Sequence, residues 1–239
     1  MSEYILCCDT SSKVGSLALF SNSGSDLKLL SSKVWTKEKS HSEVITEQCD
    51  DLFKEASLSI HKISYLVSTI GPGSFTGIRV GLNFVRTLAF ANSIPIYSFN
   101  SLAPLAYPYR KSNLPILVIN NAHKNMLYTA IYQNEKESLS ACALGFDELE
   151  EQLKQDKYLC LGDGFPTYKD FFSDVLLEKL ILPKEDYVSS IAQTLGEMWK
   201  NWRKIHRPMS WNDLLPLYIR SSEAEEKLWS GLLRPAPKQ

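Results

Sequence analysis

The chain is nearly without net charge, and it contains no long apolar run and no cysteine spacing that would build a metal or disulfide framework. Its 26 Lys and Arg against 27 Asp and Glu leave −1 at pH 7. Nothing therefore draws it over long range to nucleic acid, and phosphate contacts would have to come from a local patch or a partner. No window approaches the roughly 18 apolar residues of a membrane-spanning helix. The N-terminal "MSEYILCCDTSS" has no basic region ahead of its short apolar run, so no signal peptide is expected there. Five cysteines (Cys7, Cys8, Cys49, Cys142, Cys160) make an odd count without a C-x-x-C pair. That usage fits a reducing compartment, and a cytoplasmic location is the expectation. What the chain does have is hydrophobic content of 44% and 11% aromatics over 239 residues, enough for a sizeable core in one large domain or two modest ones.

Element signals repeat in two rounds. "YILCCDT" and "VGSLALF" read as two strands, with "LKLLSSKVW" a weaker third. In "SHSEVITEQCDDLFKEA" the period changes: Val44, Ile45, Cys49, Leu52, Phe53 and Ala56 recur at helical spacing. Ser40 and Glu43 stand at capping-box spacing at its start. "ISYLVSTI" reads as a strand. A helix over "IRVGLNFVRTLAFAN" follows, with Ile78, Leu82, Val85 and Ala89 on one face and Asn92 at its stop. The strand "IPIYSF" closes the round. After the proline-rich "NSLAPLAYPYRKSNLP" the pattern restarts with strands at "ILVIN", "MLYTAIY" and "YLCLGDG". Helices are expected around "FDELEEQLKQ", "PTYKDFFSDVLLEKL" and "VSSIAQTLGEMWKNWRK", and a last short strand at "LPLYIR". The order predicts a duplicated α/β architecture. Expected boundaries are 1–108 for an N-terminal lobe, 109–215 for a C-terminal lobe, and 216–239 for a final strand and polar tail.

"IGPGSFTGIR", with Gly71, Gly73, Ser74, Thr76 and Gly77, lies between strand and helix, the place where backbone N–H groups meet anions. It does not match the familiar phosphate motifs. Thr76-Gly77-Ile78 lacks the lysine of a Walker A loop, and Thr76 stands where the dinucleotide fingerprint needs its third glycine. The other reading is shape: glycines permit a tight turn and close helix packing. Asp9, at the end of the first strand, likewise has two readings. It is either a metal or phosphate-site carboxylate or the cap of a turn with Thr10 and Ser11. No G-x-S-x-G elbow surrounds Ser74, and Cys7 and Cys8 read as packing residues. Phe75 is either a plug beneath the loop or a protruding anchor. Lys200, Arg203, Lys204 and Arg207 read as a solvated helix end more readily than as an RNA contact.

"ILCCDTS", "HSEVI", "GPGSFTGIRVGL", "IPIYSFNSLAPLA" and "LYIR", in this order from Tyr4 to Arg220, resemble the TsaB (YeaZ) family. The resemblance implies an actin-like, ribonuclease-H-like duplicated fold of two lobes, each with a mixed sheet and flanking helices. It also implies a non-catalytic partner of a TsaD-type enzyme, which transfers a threonylcarbamoyl group to the adenosine 3′ of the tRNA anticodon. In TsaD the strand after the glycine-loop helix leads into an H-x-x-x-H metal pair; Ser101 and Leu105 stand at those positions here. His41, His61, His123 and His206 are scattered, so neither a metal of its own nor a catalytic residue is expected. Relatives carry a "DAR" segment where this chain has Asn121-Ala122-His123.

The implied partners are the TsaD-type subunit, a TsaE-type ATPase and a second copy of the chain as a homodimer, with tRNA met only through the complex. The resemblance supplies no cofactor of its own and leaves room for ATP or ADP at the partner interface. The partner-facing expectation rests on two helices: His41, Val44, Gln48 and Asp51 on the first, and Arg79, Asn83 and Arg86 on the second. Asp9, Thr10 and the loop residues would be nucleotide-proximal. The rival readings are an ATP-binding small kinase of the same fold using Asp9 and the loop, and an M22-type peptidase.

Overall fold

Every central strand of this chain is apolar on both faces and so needs cover on both. In β1 (Glu3–Asp9), Ile5 and Cys7 point one way and Leu6 and Cys8 the other, as the two-residue period of a strand dictates, and all four are buried. β2 (Gly15–Ser23) repeats this with Ala18 and Phe20 against Leu17 and Leu19. The computed structural model describes residues 2–24, 26–36, 40–184 and 190–220.

Around β1 a five-stranded sheet is ordered β3–β2–β1–β4–β5, with β3 (Asp26–Trp35), β4 (Ile63–Thr69) and β5 (Ile96–Phe99). β2 and β3 run antiparallel to their neighbours, and β4 and β5 run parallel to β1. The second sheet contains β6 (Ile116–Asn121), β7 (Leu127–Gln133), β8 (Lys136–Leu144), β9 (Tyr158–Leu161) and β10 (Leu180–Ile181). Its order, β8–β7–β6–β9–β10, repeats the first with the same strand directions. This is the duplicated actin-like, ribonuclease-H-like fold.

α1 (His41–Glu55) and α2 (Phe75–Asn92) cover one face of the first sheet. Ile45, Cys49 and Leu52 meet Ile78, Leu82, Val85 and Ala89 over Leu6, Leu19 and Leu66. Glu43 accepts the Ser40 N–H at 2.9 Å at the start of α1, and Ser93, at φ 55°, ends α2 one residue past Asn92. In the second lobe α3 (Ala103–Ala106) lies on one face of the sheet. The other face carries α4 (Phe146–Gln152), α5 (Gly164–Tyr168) and α6 (Asp174–Lys179). The single helical pattern over 166–180 divides because Ser173 caps a new helix, accepting the Leu176 N–H at 3.0 Å.

Three sequence expectations are corrected. α7 (Ile191–Trp202), assigned by order to the second lobe, lies on the open face of the first sheet instead. Its Ala192, Leu195, Met198 and Trp199 pack on Ile5, Cys7, Phe20 and Val67. The expected strand at "LPLYIR" is an extended segment without a ladder, tied by the Leu217 N–H to the Ile70 carbonyl at 2.7 Å; the polar tail beyond residue 220 lies outside the described residues. Arg203, expected in a solvated helix end, donates to both carboxylate oxygens of Glu3 and lies over Trp199, 4.4 Å from the ring centroid. That pairing holds the Glu3 carboxyl below its usual range. β8 and β10 carried no sequence signal.

α7 reaches the sheet because Gly196 leaves room for Phe20. A Cβ at residue 196 would lie 2.3 Å from the ring. Gly196→Ala adds about 1 kcal/mol of helix propensity, but overpacking costs about 1–3 kcal/mol. The variant is expected to lower the urea midpoint at unchanged slope, whereas the same change at an exposed helical site would raise it.

Candidate functional site

The ends of β1 and β6 and the glycine turns after β4 and β9 meet at one place between the lobes. Around it is a cleft of about 380 Å³ whose walls include Ser11, Ser12, Lys13, Ser74, Thr76, Asn120, Lys124, Asp163 and Arg220. The first-lobe wall is built by contact too close for side chains. A Cβ on Gly73 would lie 2.2 Å from the Ser11 carbonyl oxygen, and one on Gly77 2.1 Å from that of Thr10. The glycines are therefore spent on shape. Ser74 N–H donates to the Ser11 carbonyl at 2.7 Å, and Thr10 Oγ1 donates to the Gly77 carbonyl at 2.8 Å. Ser74 also caps α2, its Oγ accepting the Gly77 N–H at 3.2 Å. The second lobe repeats the device. Gly162 abuts the Ile119 carbonyl and the Asn120 side chain, and Asp163 accepts the Asn121 N–H at 2.8 Å.

Asp9 is not on the cleft wall. It is 1% exposed, and its Oδ1 accepts Thr69 Oγ1 at 2.5 Å, Ser11 Oγ at 2.7 Å and Ser11 N–H at 3.3 Å. Its second oxygen has no partner among the described residues. Burial pushes its pKa up, against the lowering effect of the Thr69 and Ser11 bonds. The turn-capping reading of Asp9 describes this arrangement. Cys7 and Cys8 are fully buried, and burial raises both thiols well above their ordinary value; Cys49 is pushed up to about 12. None is poised as a thiolate.

Where the sequence resemblance places the two metal imidazoles of TsaD, this chain's Ser101 and Leu105 do other work. Ser101 Oγ accepts the Gly71 N–H at 3.0 Å and its own N–H returns to the Gly71 carbonyl at 2.8 Å, so it fastens the glycine loop. Leu105 packs against the core formed by Leu102, Val118 and Ala130. Among the described residues no three His, Cys, Asp or Glu side chains converge as a metal site, and no helix is long and apolar enough to cross a membrane. The Asn121-Ala122-His123 segment ends β6 and opens the β6–β7 turn, where the Asn121 side chain accepts the His123 N–H at 2.7 Å and the Tyr168 hydroxyl at 2.8 Å.

The expected partner-facing residues divide. His41 and Val44 are buried, which corrects the expectation. His41 Nδ1 accepts the Trp35 indole N–H at 2.9 Å, so its Nε2 carries the proton donated to the Ser12 carbonyl. Gln48 and Asp51 are half-exposed. On α2, Arg79 and Asn83 are exposed and Arg86 half-exposed, and Phe90, 66% exposed, continues their stripe. Trp211 meets Phe90 edge-on at 5.0 Å. Phe90 and Trp211 escaped the sequence reading: the first looked like ordinary helix filling, and the second lies far away along the chain. Phe75 neither plugs the core nor stands free; it stacks on Tyr218 at 4.7 Å, with the Arg79 guanidinium 3.9 Å from its ring centroid.

Asp9 carries a pH prediction. Because its folded pKa is raised, its contribution to stability is complete below the ordinary value of 3.8 and is lost as pH rises through the folded value. Asp9→Asn is neutral throughout. Urea titrations between about pH 4 and pH 8 are expected to show the variant gaining on the wild type as pH rises; a constant difference would contradict the assignment.

A family model described as TsaD, tRNA N6-adenosine threonylcarbamoyltransferase, matches residues 28–227. The tRNA threonylcarbamoyladenosine biosynthesis protein TsaB of Bacillus subtilis (strain 168) is 27% identical over 229 residues, covering 93% of this chain and 96% of that protein. A tRNA N6-adenosine threonylcarbamoyltransferase of Caldicellulosiruptor saccharolyticus is 33% identical over 95 residues, covering 37% of this chain and 28% of that enzyme. The solved structure of YeaZ from Pseudomonas aeruginosa superposes with a TM-score of 0.73 at 22% identity, over 90% of this chain and 99% of that one. With this shared architecture and a match along most of its length, the chain belongs to the TsaD family, in its TsaB (YeaZ) branch.

Proposed function

We propose that this chain serves tRNA threonylcarbamoyladenosine biosynthesis as a non-catalytic subunit that binds and activates a TsaD-type enzyme. The observation that carries the reading is Ser101. At a position where the resemblance expects a metal imidazole, a buried serine is turned onto Gly71 and fastens the loop. A neutral serine hydroxyl engaged with a backbone N–H is a poor substitute for an imidazole ligand, and Leu105 has no ligand atom at all. Asp9 counts against the small-kinase reading, since a carboxylate sealed beneath Ser11 does not face the cleft. The peptidase reading loses the same two ligands.

Part of the anion-binding capacity of the glycine turn is already taken. At the start of α2, the Ser74 N–H is bonded to Ser11 and the Gly77 N–H to Ser74 Oγ. An anion reaching those two groups would have to displace the protein's own acceptors, which leaves the Phe75 and Thr76 N–H groups of the first turn to meet one. ATP or ADP in the assembly is accordingly assigned to the partner side of the interface and to a TsaE-type ATPase, with tRNA held by the complex.

The partner's seat is the α2 stripe of Arg79, Asn83, Arg86 and Phe90, extended by Trp211. Arginine and aromatic groups on one rigid face are the groups that dominate protein interfaces. In the absence of the partner, two copies pairing through the same stripe would bury it in a homodimer.

The purified chain is expected to show no threonylcarbamoyl transfer alone and to restore it when added to TsaD-type and TsaE-type subunits with ATP, tRNA and an activated threonylcarbamoyl donor. Turnover by the isolated chain would sink the proposal. Phe90→Glu is expected to weaken partner binding by at least roughly tenfold in titration calorimetry, the scale of an interface hot spot. Because Phe90 is largely exposed, the thermal midpoint should remain near that of the wild type.

A further inference from the structure

Residues 214–220 follow a path that the fold alone does not require. Leu214 is fully buried in the core beneath α1 and α2. Leu217 then bonds through its N–H to the Ile70 carbonyl at 2.7 Å, at the entrance to the glycine loop. Gly71 has no room for a side chain there, since a Cβ would lie 2.7 Å from the Leu217 carbonyl oxygen. Tyr218 lies flat on Phe75, and its hydroxyl accepts Arg79 Nε at 2.8 Å. Two residues later the chain has crossed to the other lobe. The Arg220 guanidinium donates to the Ala122 carbonyl and to the His123 carbonyl, the latter at 3.0 Å, in the β6–β7 turn. All of 217–220 border the cleft.

His123, Lys124 and Asn125 in that turn sit at φ of 59°, 54° and 57°. Three consecutive left-handed residues are an unfavourable run for side chains other than glycine, and surroundings must hold them. The bond from Arg220 to the Ala122 and His123 carbonyls supplies part of that hold.

We propose that residues 217–220 are a built-in clasp that fixes the opening between the two lobes, with Arg220 as its releasable end. A guanidinium on two adjacent carbonyls is a charge-assisted contact, made here by a half-buried side chain. While it is closed, rotation of one lobe against the other has to tear Tyr218 from Phe75 or Leu217 from Ile70. Because Tyr218 is joined to Arg79, the clasp also connects the second lobe to the start of α2.

Hydrogen–deuterium exchange on the full chain tests this. Arg220→Ala is expected to accelerate exchange about tenfold at residues 122–126 and, in concert, at the Leu217 amide in the other lobe, the scale of losing a charge-assisted hydrogen bond. Tyr218→Ala, which cuts the middle of the clasp, should accelerate the same two regions while β1 amides keep wild-type rates. Acceleration confined to residues 122–126, or no acceleration, would overturn the clasp. So would faster exchange throughout β1, which would make the segment a general support of the fold.

Discussion

The rest of the molecule depends on the close approach of the glycine loop to the β1–β2 turn. Backbone meets backbone there with no side chain between them, at Gly73 against Ser11 and Gly77 against Thr10. That approach seats the first turn of α2 against the sheet and lets Ile78 and Leu82 reach the core. It also decides what the cleft can hold. In a phosphate-binding loop the leading N–H groups wait for a ligand; here Ser11 and Ser74 already take two of them, those of Ser74 and Gly77. A single packing choice therefore seats α2 and occupies part of the anion grip usually found at such a turn.

Buried polar groups in this region serve the same end. Asp9 gathers Thr69 and Ser11, His41 joins Trp35 to Ser12, and Ser101 holds Gly71. Each side chain that looks like chemistry in the sequence ties one loop to another. Such networks add specificity to a fold when their members are satisfied, and the single unpartnered oxygen of Asp9 is the exception. The outcome is a first lobe whose loops are tied together behind the exposed side chains of α2.

Much of this architecture was legible in the sequence because apolar period and strand chemistry agree. Ile78, Leu82, Val85 and Ala89 lie on the buried face expected of them, and the Ser40–Glu43 spacing marks the start of α1. β8 was not legible. An edge strand rich in Ser and Ala is held by backbone pairing with β7, which leaves no side-chain signal. His41 and Val44 were misplaced because helical spacing says which residues share a face but not how wide the buried face is; Trp35, on another strand, draws His41 inward. The relation of Phe75 to Tyr218 spans the chain and has no local trace at all. Glycine spacing showed that a tight turn was there, while what the turn presses on could be learned only from the folded chain.

The placement of α7 has a consequence for how the protein is made. The first sheet emerges from the ribosome early, yet the helix that closes its second face is encoded some ninety residues after β5. Until then Ile5, Cys7, Ala18, Phe20 and Val67 present an uncovered apolar surface during synthesis. The first lobe is consequently a late-maturing unit, and a fragment ending at the boundary between the sheets would lack the helix that packs on that face beside Ala103 and Tyr107.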